Sequence, residues 1–290
     1  LEDGTFFKGH GFGYESTTTG EVCFNTSITG YQEIISDPSY AGQIINFTFP
    51  HIGNTGINSS DNESTSCATL GLITRNLPTK SSNWKSELEF DSWLRQNELV
   101  GVGNIDPRRL TRMIRSLGAP NIAICNSSKG IFDIEKMRSL ALNTEGLIGT
   151  ELTSTVTCKS TYSWSKSKTG KKHFINRENK SHSFKILAID YGAKDSIFLR
   201  FTELNCQVTV VPANITLKSV INQKPDGIFL SNGPGDPAAT GKYAIPIIKE
   251  FIKSNLPVFG ICLGHQLIAL ASGLKTYKMH NGHRGINHPV

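Results

Sequence analysis

The chain carries a glycine-flanked cysteine, Gly260-Ile261-Cys262-Leu263-Gly264, between a short apolar run and a helix-like run. The apolar run is Val258-Phe259, and the helix-like run extends from Gln266 to Ala271. This is the G-x-nucleophile-x-G pattern of a strand-turn-helix elbow, with Cys in the place of Ser. Such a turn is tight and strains the backbone of its central residue, so nearby residues must lack Cβ atoms. The pattern therefore predicts a strand, a sharp turn at Cys262 and a helix directly behind it.

A cysteine in this turn lies at the N-terminus of a helix, where the positive end of the helix dipole favours the thiolate over the thiol. The thiolate is the nucleophilic form, so Cys262 is a candidate catalytic residue. Free cysteines are more often buried packing residues. The elbow alone leaves both interpretations open, and the rest of the C-terminal half favours the nucleophile.

From residue 184 onward, strand-like and helix-like segments alternate. The predicted strands are 184–189, 207–211, 226–230 and 257–261, and the predicted helices between them are 193–204, 217–222 and 243–252. Alternation at this spacing predicts βαβ units and a parallel sheet. Ligands bind at the carboxyl ends of such strands. Two loops follow strands at this edge, namely the elbow and the Gly-Pro loop 231–237. The backbone N–H groups of Leu263, in the elbow, and of the Gly233 segment, in the Gly-Pro loop, are suited to bind an oxyanion. An ordinary surface turn is the alternative for the Gly-Pro loop.

The motifs resemble two known families. Phe259 to Gln266 together with Leu230 to Pro237 resemble the class I, triad-type glutamine amidotransferases. Four segments of the N-terminal half resemble the small-subunit-specific domain of carbamoyl phosphate synthetases: 20–27, 29–34, 37–40 and 50–54. Residues 190–194 and 282–290 fit the same family. The resemblance covers essentially the whole chain and rests on several independent motifs.

The resemblance implies an α/β protein with two domains. A small-subunit-specific α/β domain is expected at 1–156, a basic linker at 157–183, and a parallel-sheet, flavodoxin-like amidotransferase domain at 184–290, incomplete at its C-terminus. In the family, a triad His and Glu follow well downstream of the elbow, so we expect this chain to be a fragment with little or no glutaminase activity by itself. The nearby histidines are not expected to replace that base; they are His265, His280, His283 and His288.

The resemblance also implies a mechanism. In the family, the cysteine attacks the side-chain amide of L-glutamine, releases ammonia and leaves a thioester that water hydrolyses to glutamate. Cys262 takes the place of that nucleophile, and Leu263 and Gly233 match the backbone donors to the oxyanion. The implied substrate-binding residues are Ser39, Gly233, Gly235, Leu263 and Gln266. Because Ser39 belongs to the N-terminal half, the site is expected to lie partly between two domains.

The implied partner is a large synthetase subunit, which consumes ATP, with Mg, and bicarbonate to make carbamoyl phosphate for arginine and pyrimidine biosynthesis. No cofactor and no metal are expected in this chain itself. Two alternatives stay open: another class I amidotransferase, and a non-catalytic regulatory relative that has lost its base. The N-terminal segment argues against the first. A natural chain that continues past Val290 without the His and Glu would indicate the second.

Composition bears on partners and location. No apolar run approaches the ~20 residues needed to span a bilayer, so no membrane contact is expected. The net charge of +6 comes from residues 158–185, which hold eight Lys or Arg and one Glu and which we interpret as a solvated linker rather than a nucleic-acid surface. A thiolate nucleophile suits a reducing compartment, so the cytoplasm is expected; the Lys, Asn and Ser bias would also suit a plastid.

Overall fold

Two β-sheets, one in each half of the chain, organise the molecule. The computed structural model describes residues 1–164 and 183–282. Within these ranges the first sheet has six strands and the second has five. Helices accompany both sheets, so the predicted α/β class with an N-terminal and a C-terminal α/β unit is confirmed.

The first sheet is parallel in its middle and antiparallel at its edges. Its strands are β1 (His10–Gly13), β2 (Thr17–Asn25), β3 (Gln43–Phe47), β4 (Gly71–Ile73), β5 (Val100–Gly103) and β6 (Asn121–Cys125), in the order β1-β5-β4-β3-β2-β6. Only the edge strands β1 and β6 run antiparallel to their neighbours. Successive side chains point to opposite faces. Val22 and Ile44 enter one apolar core, and the residues after them, Cys23 and Ile45, enter the other.

The N-terminal part of the chain, residues 1–164, has five α-helices and one 3-10 helix, and the last of them contacts the C-terminal unit through the hydroxyls of Thr153 and Tyr243. These helices are α1 (Tyr31–Ile35), the 3-10 helix Pro38–Tyr40, α2 (Phe90–Gln96), α3 (Pro107–Leu117), α4 (Ile134–Leu142) and α5 (Thr153–Val156). The start of α3 shows one local cause that places a helix. The Asp106 carboxylate accepts a hydrogen bond from the Arg109 amide over 3.1 Å, and Pro107 occupies the first turn, where no amide hydrogen is needed.

The second sheet has the predicted parallel arrangement. Its strands are β7 (Tyr162–Ser163), β8 (Lys185–Asp190), β9 (Gln207–Pro212), β10 (Gly227–Leu230) and β11 (Val258–Gly260), in the order β11-β10-β8-β9-β7, and its helices are α6 (Asp195–Glu203), α7 (Leu217–Asn222), α8 (Pro237–Lys253) and α9 (Leu263–Ala271). All pairs are parallel except β7 with β9. Each strand and helix predicted from the alternation of this half is present.

The largest difference from the predicted boundaries is the start of α8. The helix begins at Pro237 rather than at the predicted residue 243. The Asp236 side chain caps it by accepting a hydrogen bond from the Ala238 amide over 2.8 Å. The reason for the difference is local: an aspartate followed by proline is a helix start signal, and the prediction treated both residues as loop.

Residues 157–164 belong to the second sheet and its surroundings. β7 pairs with β9, and Trp164 is buried, with 8% of its surface exposed. The Thr157 hydroxyl donates a hydrogen bond to the backbone oxygen of Asp190 over 2.6 Å. The interpretation as a solvated linker is therefore wrong for 157–164, because strand pairing and burial of the indole hold this part in place. The remainder of that segment, 165–182, lies outside the described residues.

Candidate active site

Cys262 forms the turn between β11 and α9, with a backbone φ of 51° and ψ of −108°. A non-glycine residue in this region is strained and needs its surroundings to hold it there. Two hydrogen bonds on either side of the turn do so. The Ile261 amide donates to the oxygen of Leu230 over 3.1 Å, and the Gly264 amide donates to the oxygen of Ser231 over 3.0 Å. The tight turn predicted from the sequence is confirmed.

Close backbone packing explains both glycines of the elbow. A Cβ atom on Gly260 would lie 2.5 Å from the carbonyl carbon of Gly264. A Cβ atom on Gly264 would lie 2.1 Å from the carbonyl oxygen of Leu230. Both distances are far below van der Waals contact, and both neighbours are backbone atoms that cannot rotate away. A side chain at position 264 would therefore force the elbow off β10, and one at position 260 would force the turn itself apart.

The elbow leaves Cys262 exposed to solvent, while apolar residues of α9 are buried beneath it. Cys262 and Gln266 are exposed, whereas Leu263 and Leu267 are buried in the core of the second unit. The Gln266 amide donates to the oxygen of Cys262 over 3.0 Å, which closes the first turn of α9. The amide of Leu263 opens the helix and has no intrahelical acceptor. It remains suited to an oxygen of a bound ligand.

The Gly-Pro loop after β10 lies directly beside the elbow. A Cβ atom on Gly233 would lie 3.0 Å from the Cδ2 atom of Leu263 and 2.2 Å from the oxygen of Tyr191. Gly235 has a φ of 86°, which favours glycine, and a Cβ there would lie 2.8 Å from the oxygen of Thr150. The loop is therefore packed against the Leu263 side chain, and the hydrogen bond from the Gly264 amide to the Ser231 oxygen joins the two loop backbones. That Leu263 and Gly233 donate to an oxyanion stays a prediction.

Asn232 joins this loop to the N-terminal unit. The residue is 4% exposed. Its Nδ2 atom donates to the Ser39 hydroxyl and to the backbone oxygen of Gly192, both over 2.9 Å, and lies 3.5 Å from the Asp37 carboxylate. Its Oδ1 atom accepts from the Lys194 amide over 3.2 Å. Ser39 is thereby held next to the loop that carries Gly233, so the structure brings residues of both units to one place.

A cluster of charges lies next to Ser39. The Lys194 ammonium is 3.8 Å from the Asp37 carboxylate and 4.0 Å from that of Glu63. Glu63 also accepts a hydrogen bond from the Ser196 amide over 2.9 Å, in the first turn of α6. Burial raises the pKa of Asp37, and the Lys194 ammonium opposes this rise. Carboxylates of the N-terminal unit thus bind a cation and a helix N-terminus of the other unit.

The sequence did not single out Asn232, Lys194 or Glu63. Asn232 and Lys194 lie in segments that carry the family resemblance, but no spacing or residue type marks them among their neighbours. Glu63 lies in a polar loop without any recognisable pattern. Their importance comes from contacts between residues more than 100 positions apart, such as the 133 positions between Glu63 and Ser196.

Two of the four histidines near the elbow can be placed. His265 is exposed on α9. The Nε2 atom of His280 lies 3.0 Å from the backbone oxygen of Arg115, in the N-terminal unit. His283 and His288 lie outside the described residues. That none of these histidines acts as the catalytic base stays a prediction.

Residues 1–164 and 183–282 show neither a metal-binding cluster nor a membrane-spanning helix. No group of three or more His, Cys, Asp or Glu side chains there is arranged to hold a metal ion. None of the helices in these ranges combines the length and the apolar character needed to cross a bilayer. No disulfide bond joins any of the six cysteines, all of which lie in these ranges.

Comparisons with known proteins give two family matches. Residues 1–124 match the model described as carbamoyl-phosphate synthase small chain, CPSase domain, and residues 187–290 match the model described as glutamine amidotransferase class-I. The chain is 48% identical over 292 residues to the carbamoyl phosphate synthase small chain of Ruegeria pomeroyi. It is 47% identical to the same protein of Bradyrhizobium diazoefficiens over 294 residues and of Zymomonas mobilis over 290. These alignments cover all of this chain and 75%, 74% and 78% of the respective relatives.

Proposed function

The chain belongs to the carbamoyl phosphate synthase small-chain family, and on this premise we propose that it is the glutaminase component of a glutamine-hydrolysing carbamoyl phosphate synthase. The observation that carries the proposal is the strained, exposed Cys262 at the N-terminus of α9, beside the Gly233 backbone. A strained turn that exposes a thiol next to backbone donors has a chemical use and no evident structural one.

The proposed reaction is hydrolysis of the side-chain amide of L-glutamine. The Cys262 sulfur forms a bond to the amide carbon, and the carbonyl oxygen takes up the negative charge between the amides of Leu263 and Gly233. The carbon–nitrogen bond then breaks, and the nitrogen takes a proton and leaves as ammonia. Water attacks the resulting thioester, and the products are glutamate and the regenerated thiol. The base that moves these protons is proposed to be the triad His, oriented by a Glu, that the family resemblance places downstream of the elbow.

Three further residues are proposed to bind glutamine. Gln266 is exposed one turn after Cys262 on the same helix, and Gly235 shapes the Gly-Pro loop. Ser39 approaches from the N-terminal unit and is oriented by Asn232. A substrate that contacts both units is bound only when the units are in the correct relative position. The affinity for glutamine therefore depends on the orientation of one unit relative to the other.

The proposed fate of the ammonia follows from the family. The relatives are named small chains, and we propose that a large subunit is the partner and uses the ammonia with bicarbonate and ATP, bound there with Mg, to form carbamoyl phosphate for arginine and pyrimidine synthesis. No cofactor is assigned to this chain. A cytoplasmic location is proposed because six cysteines without a disulfide bond, one of them the proposed nucleophile, suit a reducing compartment.

The first test is covalent labelling of Cys262 by an electrophilic glutamine analogue, located by mass spectrometry. It is performed on the 290-residue chain and on the chain extended to its natural end. Labelling of the extended chain at Cys262, with protection by glutamine, is the expected result. A folded extended chain that stays unlabelled would overturn the proposal and favour a non-catalytic regulatory relative. The 290-residue chain by itself is expected to release little or no glutamate; steady release that Cys262→Ala abolishes would contradict this expectation.

A further inference from the structure

An extended segment leads from the elbow helix to the N-terminal unit. We call residues 272–282 the strap. It follows α9 directly and contains no further helix or strand. Its apolar side chains are largely in solvent, with Leu274 64%, Tyr277 87% and Met279 49% exposed. The strap is therefore not held by an apolar core, and its polar contacts must determine its path.

The strongest of these contacts is an ion pair across the two units. The Lys278 ammonium binds the Glu21 carboxylate, although 257 positions separate the two residues. Glu21 lies on β2 and is 4% exposed. Its other carboxylate oxygen accepts a hydrogen bond from the Gln43 side chain over 3.2 Å. A buried carboxylate without a cation destabilises the folded protein. The Lys278 ammonium is therefore held at the Glu21 carboxylate.

A second contact lies further along the strap. The Nε2 atom of His280 lies 3.0 Å from the backbone oxygen of Arg115, near the end of α3. The backbone of His280 also approaches Gly118, where a Cβ atom would lie 3.2 Å from the His280 oxygen. The strap thus reaches both the sheet and a helix of the N-terminal unit.

The ion pair connects the two sides of the candidate glutamine site. On one side, Lys278 continues from the helix whose first turn carries Cys262. On the other side, Glu21 binds Gln43, which begins β3 four residues after Ser39. Ser39 in turn accepts a hydrogen bond from Asn232, beside the elbow. These contacts form a continuous series that leads from the elbow helix through Lys278 and Glu21 to Gln43, and from there along the chain to Ser39. Ser39 contacts Asn232, which lies beside the elbow again.

We propose that Lys278 and Glu21 are positioning residues, whose ion pair sets the placement of Ser39 relative to Cys262 and thereby the affinity for glutamine. The inference rests on the proposed glutaminase function. Neither residue touches the reacting atoms. Their effect is geometric, because a displacement of about 1 Å between substrate-binding groups is enough to weaken a reaction strongly.

The test uses the full-length chain with its natural C-terminus and compares four variants with the wild type. Lys278→Met removes the ion pair, and Lys278→Arg retains the charge. Lys278→Met combined with Glu21→Gln removes both charges, so that no buried carboxylate is left alone. Lys275→Met is the matched control, since Lys275 is exposed on the same strap. For each protein, the rate of Cys262 labelling is measured against the concentration of an electrophilic glutamine analogue, and the melting temperature is recorded.

The expected result is that Lys278→Met raises the analogue concentration for half-maximal labelling by about threefold or more, with a smaller effect on the limiting rate. Lys278→Arg should restore most of the affinity, Lys275→Met should leave it unchanged, and the double variant should resemble Lys278→Met. A lower melting temperature with an unchanged half-maximal concentration in both Lys278→Met and the double variant would show a purely structural pair and overturn the proposal. An unlabelled wild type would instead overturn the glutaminase function.

Discussion

The Nδ2 atom of Asn232 donates a hydrogen bond to the Ser39 hydroxyl over 2.9 Å, although 193 positions of the chain separate the two residues. Asn232 precedes Gly233 in the loop beside the elbow, and Ser39 belongs to the 3-10 helix of the other unit. The buried side-chain amide of Asn232 is therefore one of the contacts that hold the two units together beside the elbow of Cys262.

Replacing Asn232 by alanine is expected to lower the free energy of unfolding by about 2–4 kcal/mol. The change removes hydrogen bonds to Ser39 and Gly192 and leaves buried polar groups without partners, at about 1–3 kcal/mol each. Urea unfolding measures the effect. Asn222→Ala is the control, because Asn222 is exposed at the end of α7 and should change stability by less than about 0.5 kcal/mol. Equal effects of the two substitutions would contradict the assigned role of Asn232.

Gly264→Ala is expected to disrupt the elbow. The new Cβ would lie 2.1 Å from the Leu230 oxygen, so the backbone must shift, at a cost of about 1–3 kcal/mol or more. Labelling of Cys262 by the glutamine analogue should fall together with the melting temperature. The control is Gly146→Ala, since a Cβ there meets nothing within 4 Å. An unimpaired elbow in Gly264→Ala would show that the close packing of α9 on β10 is not needed.

The cysteines are expected to differ widely in their reaction with iodoacetamide at about pH 8. Burial raises the pKa of Cys67 to about 12, and burial with the nearby Asp190 carboxylate raises that of Cys158 to about 12. Because only the thiolate reacts, a higher pKa means less reactive sulfur at this pH. Exposed Cys262 should therefore be modified well before Cys67 and Cys158.

Mass spectrometry of the alkylated protein at successive times gives this order directly. Unfolding in urea serves as the control, because it should bring the rates of the three thiols close together. If Cys67 or Cys158 reacted first in the folded protein, the burial of these side chains would be refuted.

Asp37 is expected to make stability fall as the pH rises. Burial, the largest cause, raises its pKa in the folded state. Between the unfolded pKa, about 3.9, and the folded pKa, the native protein binds more protons than the unfolded chain, so unfolding becomes easier with rising pH there. Asp37→Asn keeps an oxygen that accepts from the Ser39 amide and removes the charge. It should flatten this part of the pH profile.

Urea unfolding at several pH values above about 4 measures this contribution as the difference between wild type and Asp37→Asn. Glu145→Gln is a suitable control because Glu145 is exposed. A profile of Asp37→Asn that runs parallel to the wild type would show that the Asp37 charge is not penalised in the folded state.

The elements that the sequence predicted well are those with local causes. The bounds of α7, Leu217–Asn222, agree at both ends. The elbow was predicted because a strained turn with close backbone packing requires glycine in a short, recognisable pattern. The strand Gln207–Pro212 followed from a short apolar run of strand-forming residues.

The misjudged segment 157–164 depends on a contact that no window of sequence contains, whereas the starts of α8 and α9 were misjudged for local reasons. The segment 157–164 was interpreted as linker from its composition, but β7 is held by β9, almost 50 positions later. The start of α9 was placed at Gln266, whereas it begins at Leu263 because Cys262 itself ends the turn.

Four features could be predicted without a structure: the α/β class, the alternating second unit, the elbow at Cys262 and the loop of Gly233. Periodicity, helix caps and glycine requirements act between residues that are near each other in the chain, so a single sequence displays them. Three contacts became visible only in the folded molecule: Asn232 with Ser39, Lys194 with Asp37 and Glu63, and Lys278 with Glu21. These pairs form because two folded sheets come within a few ångströms of each other, and a hydrogen bond or an ion pair depends on that distance and not on the separation along the chain.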